Sequence, residues 1–224
     1  MLTARRRTSG KSLRMPLVQR YNGAVFRYLL GAVRDADVAA DLTQEFALRF
    51  VRGDFRRADP QRGRFRDYLK ASLVNLVNDY HRARQAWPRP LAGGAEPVAP
   101  PADTMDAEAD FLKSWREELL DRAWDALSEA QPDYYAVLLF RVENPDASST
   151  QMADQLSTRL GKPLMSAWIR KALQRAHERY ADLLLNEVAG SLETASEEEL
   201  RHELKELDLL RFCRSALERR AKTS

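Results

Sequence analysis

Residues 148–192 read SSTQMADQLSTRLGKPLMSAWIRKALQRAHERYADLLLNEVAGSL, and the fold is inferred outward from this stretch. Ser149 or Thr150 can cap a short helix, which Gly161-Lys162-Pro163 then ends. The pattern predicts a long second helix from about Leu164 to about Val188. Two helices joined by a short turn are typical of a helix-turn-helix, whose second helix can enter a DNA groove.

The second of these helices has an apolar side and a basic side. A helical wheel predicts a buried stripe of Ile169, Leu173, Ala176 and Tyr180. The opposite side and its flank carry cations and an amide, which suit phosphates and base edges: Arg170, Lys171, Gln174 and Arg175. An ordinary solvated helix face fits this stretch equally well, so the rest of the chain must decide between the two.

The net charge of +3 hides a strong asymmetry along the chain. Residues 1–90 hold 19 Lys and Arg against 8 Asp and Glu, a net of +11, whereas residues 91–150 hold 4 against 13, a net of −9. Residues 151–190 return to +2. The basic charge is therefore concentrated in the N-terminal third and again on the long helix, where a polyanion could use it.

Composition limits the class of protein. No apolar run approaches the roughly 20 residues that cross a bilayer, and we expect no secretory signal at the basic N-terminus. Cys213 is the single cysteine, which fits a reducing cytoplasm and a small packed side chain. The three histidines lack partners at metal-ligand spacing, and no catalytic grouping or phosphate loop is visible. We therefore expect no metal, no cofactor and no enzymatic activity, and we expect a cytoplasmic protein.

Apolar residues recur at helical spacing, with no strand-period segment, and this predicts an all-α fold of two small domains. We assign residues 1–16 to a basic disordered arm, 17–86 to a first domain and 87–104 to a Pro-rich linker. Residues 105–192 form the predicted second domain with the helix-turn-helix, and 193–224 form a helical C-terminal extension.

Three local features accompany this division. The segment Asp35-Ala36-Asp37 interrupts the first helical pattern and caps the next helix. Asn75 and Asn78 are poor helix formers inside an apolar helical segment, which favours a bend or short loop near Asn75. Ser196 and Glu199 have the spacing of a capping box at the start of the extension.

Residues 17–85 resemble region 2 of bacterial sigma factors of the extracytoplasmic-function group, which load RNA polymerase at promoters. The resemblance lies in LVQRYNGAVFRYL, RDADVAADLTQEFALRF and RGRFRDYLKASLVNLVNDYHRAR. The helix-turn-helix with ALQRAHERYADLLLNEV is similar to region 4 of the same group. The two segments occur in the family's order with a linker between them, so the resemblance implies a sigma factor.

The resemblance implies three sets of contact residues. Its DLTQEF segment implies docking on the clamp helices of core RNA polymerase by Asp41, Leu42, Gln44, Glu45 and Phe46. From the residues themselves, Leu42 and Phe46 fit core positions and the acids fit a solvated face better. The family's −10 segment, which binds and opens the promoter and holds a flipped base, implies contacts by Arg64, Arg66, Tyr68, Lys70, Asn75, Asn78, Arg82 and Arg84.

Region 4 of the family reads the −35 element with the N-terminal half of its second helix. The resemblance therefore implies −35 contacts by Ser166, Arg170, Lys171, Gln174 and Arg175. Two departures from the family stand in this part of the chain. The turn in STRLGKPLMSAW is longer than usual, and Trp168 takes a position where a small polar residue is common. Tyr68 likewise replaces the family's usual Trp.

We expect a sigma factor that binds core RNA polymerase and promoter DNA, opens the duplex and carries out no chemistry. An anti-sigma factor is a partner that the sequence leaves open. A stand-alone helix-turn-helix regulator and a helical protein-interaction module are the alternatives. The extension after Leu192 either covers a DNA or polymerase surface or packs on the second domain, and its apolar stripe of leucines favours packing.

Overall fold

The computed structural model of the protein describes residues 20–52, 64–86, 104–192 and 195–222. Within these ranges the regular secondary structure is α-helical, without strands, which confirms the all-α prediction. The helices are α1 (Asn22–Val33), α2 (Ala36–Arg52), α3 (Phe65–Ala86), α4 (Thr104–Ala130), α5 (Pro132–Glu143), α6 (Ser149–Leu160), α7 (Ser166–Ala189), α8 (Glu197–Glu206) and α9 (Leu210–Ala221). The basic arm at 1–16 lies outside the described residues, as do 87–103 of the linker.

The chain separates into two compact units, with the division between Glu118 and Leu119. This division lies inside α4, after the predicted start of the second domain at 105. The first half of α4 therefore belongs to unit 1, and its second half belongs to unit 2. The sequence pattern cannot place this division, because the apolar stripe of α4 has the same helical spacing on both sides of it.

Unit 1 is built around an aromatic core. The Tyr21 and Trp115 rings lie 4.4 Å apart between centroids, and Tyr21 lies 5.8 Å from Phe65. The Phe111 ring meets Tyr28 edge-on at 5.7 Å. Phe111 and Trp115 are 1% and 0% exposed, so the first half of α4 fills the core of the N-terminal unit. Burying each such ring contributes about 2–3 kcal/mol before entropy losses.

An ion pair fixes the end of this segment to α1. The Arg27 guanidinium donates to the Glu118 carboxylate at 2.6 Å and also lies 3.8 Å from Glu117. The Glu118 carboxylate lies so close to Gly23 that a Cβ there would be 2.1 Å from it. Glycine at position 23 therefore allows the carboxylate to approach the backbone of α1.

The remaining helices of unit 1 follow the sequence pattern with one exception. The Asp35 carboxylate accepts hydrogen bonds from the backbone N–H groups of Asp37 and Val38, both at 3.1 Å, which confirms the predicted cap of α2. The helix α3 runs continuously through Asn75, so of the bend or short loop predicted there the loop is wrong. The Asn75 side chain faces solvent and leaves the helical hydrogen bonds intact.

Unit 2 packs its helices around α7. A cluster of buried residues joins α5, α6 and α7: Val137, Phe140, Met152, Ala153, Leu156, Ile169 and Ala172. A second cluster joins Leu127 of α4 with Leu138 and Ala176. The Tyr180 hydroxyl donates to the Leu120 carbonyl at 3.2 Å. Burial raises the pKa of Tyr180, and the nearby Asp121 and Cys213 raise it further.

The buried stripe of α7 differs in detail from the one that the helical wheel predicts. Ile169 and Ala176 are buried as predicted, whereas Leu173 and Tyr180 are half-buried and Ala172 is buried in addition. Ala172 and Ala176 are one turn apart, and their small side chains allow neighbouring helices to approach α7. The contact side of α7 is therefore rotated slightly from the predicted one.

The helix-turn-helix geometry is held by local polar contacts. Ser148 caps α6, and not Ser149 or Thr150: its hydroxyl accepts from the Gln151 N–H at 3.2 Å. The Ser148 N–H in turn donates to the Gln151 Oε1 at 2.8 Å, which completes a capping box. Gly161 ends α6 with φ +64°, as the sequence predicts. The Ser157 hydroxyl then accepts from the Leu164 N–H at 2.8 Å and fixes the turn.

The C-terminal segment packs on α7. Leu200, Leu204 and Leu207 are buried, and α9 lies against both α7 and α8. The predicted capping box of Ser196 and Glu199 is present. Cys213 is completely buried, and burial, with a smaller contribution from Asp182, raises its pKa to about 12. The C-terminal extension therefore packs on unit 2, as its apolar stripe predicts.

Neither a membrane span nor a metal cluster occurs among the described residues. None of the helices there has the length and apolar composition that crossing a bilayer requires. In the same ranges, no three or more His, Cys, Asp or Glu side chains are grouped so that they could hold a metal ion.

Candidate polymerase and nucleic-acid surfaces

The helix α2 divides the predicted polymerase-docking residues between core and surface. Leu42 is 6% exposed and Phe46 is fully buried, so these two hold α2 in unit 1. Asp41 and Gln44 are exposed, and Glu45 is half-buried in an ion pair with Arg49 of the next turn. Of the predicted set, the groups that a partner can reach are therefore two acids and an amide.

Leu48 belongs to the same surface, although the sequence interpretation did not include it. Its side chain is 57% exposed. It lies four residues after Gln44 and seven after Asp41, which places all three on one side of α2. The signal was present in the sequence, because Leu48 falls outside the four-residue repeat of Leu42, Phe46 and Phe50. An apolar residue between acids and amides provides an anchor for a protein partner.

Two of the predicted −10 residues lie in the core of unit 1. Arg66 is 5% exposed and lies 3.7 Å from the Asp67 carboxylate. Tyr68 is 7% exposed, and its ring meets Phe50 edge-on at 5.6 Å. Burial keeps these side chains from phosphates and bases in this conformation. Both occur at helical spacing with an apolar stripe. Packing of that stripe buries the two side chains in spite of their polar groups.

The exposed part of α3 is its C-terminal half. Asn75, Arg82 and Arg84 are exposed, and Asn78 is half-buried. Their spacing places Asn75, Asn78 and Arg82 along one side of the helix. Arg82 bonds Asp79 at 2.7 Å, and the Arg84 guanidinium donates to the Tyr80 hydroxyl at 3.2 Å. The structure thus brings together both amides and Arg82, whereas Arg84 lies on the opposite side of the helix.

Acidic partners engage the two remaining −10 candidates. Arg64 lies 3.4 Å from the Asp67 carboxylate, at the start of α3. Lys70 donates to the Glu108 carboxylate of α4 at 2.6 Å. Both pairs are partly exposed, so they are worth little in water and a phosphate can replace the acid.

The N-terminal half of α7 presents the predicted −35 residues together. Arg170, Lys171, Gln174 and Arg175 are exposed on successive turns, and Ser166 is half-buried at the first helical position. Gln174 donates to Glu178 at 3.0 Å. Within the described ranges, the three cations of this set form no ion pair. They can therefore bind an anionic partner without first losing a carboxylate.

Trp168 has a packing role in this helix. It is half-buried and packs against the cluster around Ile169 and Ala172. The Lys162 ammonium lies 5.9 Å from the centre of its ring, and Lys162 also pairs with Asp133. The departure from the family pattern at position 168 thus serves to attach the long turn to the helix.

Comparison with known protein families gives a match in the N-terminal part of the chain. Residues 17–86 match the family model described as Sigma-70 region 2. No curated protein and no solved structure matches the chain. The matched residues contain α1, α2 and α3, which all belong to unit 1.

Proposed function

We propose that the protein is a sigma factor of the extracytoplasmic-function group, which recruits core RNA polymerase to promoters and carries out no chemistry itself. The observation that carries the proposal is the Sigma-70 region 2 match over residues 17–86. The exposed cationic face of α7, later in the same chain, supports a second DNA contact in the position of region 4.

Core polymerase binds to α2 in this proposal. Asp41, Gln44 and Glu45 supply polar contacts, and Leu48 supplies the apolar anchor. Such a surface suits a basic coiled coil, because carboxylates steer the encounter and an apolar side chain is buried at the centre. Leu42 and Phe46 act indirectly, since they attach α2 to the core of unit 1.

The −10 element binds the C-terminal half of α3. Arg82 and Arg84 contact phosphates, and Asn75 and Asn78 hydrogen-bond an unpaired base. Lys70 and Arg64 join them when DNA replaces their carboxylate partners. Tyr68 and Arg66 shape the helix from within the core, so base stacking by Tyr68 is not part of this arrangement.

The −35 element binds the N-terminal half of α7. Lys171 and Arg175 lie one turn apart on one side, and Arg170 and Gln174 repeat that spacing next to them. Arginine can read guanine, and glutamine can read adenine, in the major groove. Ser166 at the first turn suits a phosphate, because the helix N-terminus favours negative charge.

In vitro transcription with purified core polymerase and a promoter library tests the proposal. We expect the protein to direct initiation from a defined set of promoters that core polymerase alone does not use. A stand-alone helix-turn-helix regulator would bind DNA but would not start transcription with core enzyme. A protein-interaction module would do neither. Failure to initiate with core enzyme that responds to another sigma factor would contradict the proposal.

A further inference from the structure

The last helix is attached to α7 on the side that carries the cations. The Arg219 guanidinium of α9 donates to the Asp182 carboxylate at 2.6 Å and to the Glu178 carbonyl oxygen at 3.3 Å. Asp182 and Glu178 both belong to α7. One side chain of α9 therefore bonds a carboxylate and the backbone of the long helix.

The position of this contact on α7 relates it to the DNA-binding face. Lys171, Arg175, Glu178 and Asp182 follow one another at intervals of four, three and four residues. That spacing places them in one stripe along the helix. The stripe begins with the two cations proposed to contact the −35 element and continues into the two residues that Arg219 bonds. The end of α9 thus lies on the continuation of the same face.

The charge at this end of α9 is positive and exposed. Arg220 and Lys222 are exposed beside Arg219, and Glu218 is the neighbouring acid. Arg219 also pairs with Asp182, which lies on the DNA-facing stripe. This pairing reduces the repulsion that an uncompensated carboxylate there would exert on a phosphate. The Glu178 carboxylate accepts from Gln174, so each acid of the stripe is engaged by a hydrogen-bond donor, and the cations of α9 follow beyond these two acids.

We propose that residues 219–222 form a second phosphate-binding element, which extends the DNA-binding face of α7 along the sugar-phosphate backbone. The inference rests on the proposed function of α7. The occupant is duplex DNA, because the patch is cationic and continues a stripe that already carries Lys171 and Arg175. Phosphate contacts increase the affinity and orient the protein on the duplex without reading the base sequence. This element therefore strengthens binding to any duplex.

The test compares three paired variants of the full chain by their affinity for a fluorescein-labelled 30-base-pair duplex of mixed sequence over a range of salt concentrations. Arg220→Gln with Lys222→Gln removes two charges from the proposed element. Arg211→Gln with Arg214→Gln removes the same charge earlier in α9, where Arg211 lies over the Phe212 ring at 4.6 Å. Lys171→Ala with Arg175→Ala tests the α7 face itself. Circular dichroism and thermal unfolding verify that each variant folds.

Log affinity falls as log salt rises, and each phosphate that a cation neutralises makes this slope steeper by about one. Arg220→Gln with Lys222→Gln should therefore make the slope shallower by about two. The second pair should leave the slope close to that of the parent protein. Equal decreases for both α9 pairs would overturn the inference, because net charge alone would then explain them. Higher affinity after Arg220→Gln with Lys222→Gln would also overturn it, since α9 would then obstruct DNA.

The α7 pair separates this inference from the proposed function. If Lys171→Ala with Arg175→Ala weakens binding and Arg220→Gln with Lys222→Gln does not, the α9 element is wrong and the −35 assignment stands. If the α7 pair has no effect on affinity or slope, the −35 assignment fails and the α9 element fails with it.

Discussion

The Glu118 carboxylate lies over Gly23 and bonds Arg27, which places three residues of unit 1 in a single close contact. A side chain at position 23 would occupy the space of the carboxylate. At Gly31 of the same helix, by contrast, a Cβ would have no neighbour within 4 Å. The two glycines of α1 therefore have different roles, although the sequence shows both simply as glycines inside a helical pattern.

This difference predicts opposite outcomes for two alanine substitutions. Gly31→Ala should stabilise the protein by about 0.5–1 kcal/mol, because alanine favours the helix. Gly23→Ala should gain the same helix preference. It should nevertheless lower the free energy of unfolding by about 1 kcal/mol, because the Glu118 carboxylate must move away from Arg27. Denaturant unfolding measures both changes. Glu118→Ala is the control background, in which Gly23→Ala should become as favourable as Gly31→Ala; equal stabilisation in the parent protein would contradict the role assigned to Gly23.

Cys213 is the second residue whose behaviour follows from its position. Burial raises the pKa of its thiol to about 12, whereas the pKa of the thiol in an unfolded chain is about 8.5. Iodoacetamide at pH 8 should therefore modify the native protein far more slowly than the protein in denaturant, as measured by intact mass. Between the two pKa values only the unfolded state loses the proton, so stability should fall as pH rises through this window. The free energy of unfolding of the Cys213→Ala variant should fall less steeply with pH, and an unchanged pH dependence would contradict this role of Cys213.

At the scale of the helix, most of the fold could be predicted from apolar spacing. The pattern identified α2, α3 and the long helix α7, because each buries one stripe whose repeat is visible in the sequence. It did not reveal the continuity of α3 at Asn75, since tertiary packing overrides weak local preferences. It indicated core positions for Leu42 and Phe46, whereas the family resemblance assigned Arg66 and Tyr68 to DNA contacts although both are buried. That distinction depends on which neighbours cover each position.

The exposed face of α2 gives a prediction at this scale. Asp41→Lys with Glu45→Lys should raise the Kd for core polymerase by about tenfold or more, because charge reversal replaces attraction with repulsion. Fluorescence titration of labelled protein with core enzyme measures it. Asp125→Lys with Glu129→Lys on α4 is the matched control, since both residues are exposed at the same spacing in unit 2. An equal loss in both pairs, or no loss in either, would exclude α2 as the docking helix.

At the scale of the whole molecule, α4 contributes to two units, and this could not be predicted from the sequence. The Pro-rich composition predicts a break in regular structure, but it does not tell to which core the following helix belongs. Apolar residues recur every four positions on both sides of the division, so one continuous stripe conceals a change of packing partner: Phe111, Trp115, Leu119, Ala123 and Leu127. The predicted boundary at 105 followed the linker, whereas the compact units follow the packing.

The division predicts how N-terminal fragments behave. A fragment of residues 1–118 should unfold cooperatively and at a higher temperature than residues 1–103, because only the longer one contains Phe111 and Trp115. Trp115→Ala in the longer fragment should cost about 3–5 kcal/mol, as expected for the removal of a large ring from a core. Calorimetry or circular dichroism measures the transitions. Equal melting temperatures for the two fragments would show that the first half of α4 is not needed by unit 1.

The place of Trp115 in the core of unit 1 also determines when that core can form during protein synthesis. Arg27 and Glu118 are 91 residues apart in the chain, and Tyr21 and Trp115 are 94 residues apart. The ribosome releases the chain from its N-terminus at roughly 5–20 residues per second. Helices α1 to α3 therefore leave the exit tunnel several seconds before their last partner, and during this delay an apolar surface is open to chaperones or to a competing binding protein.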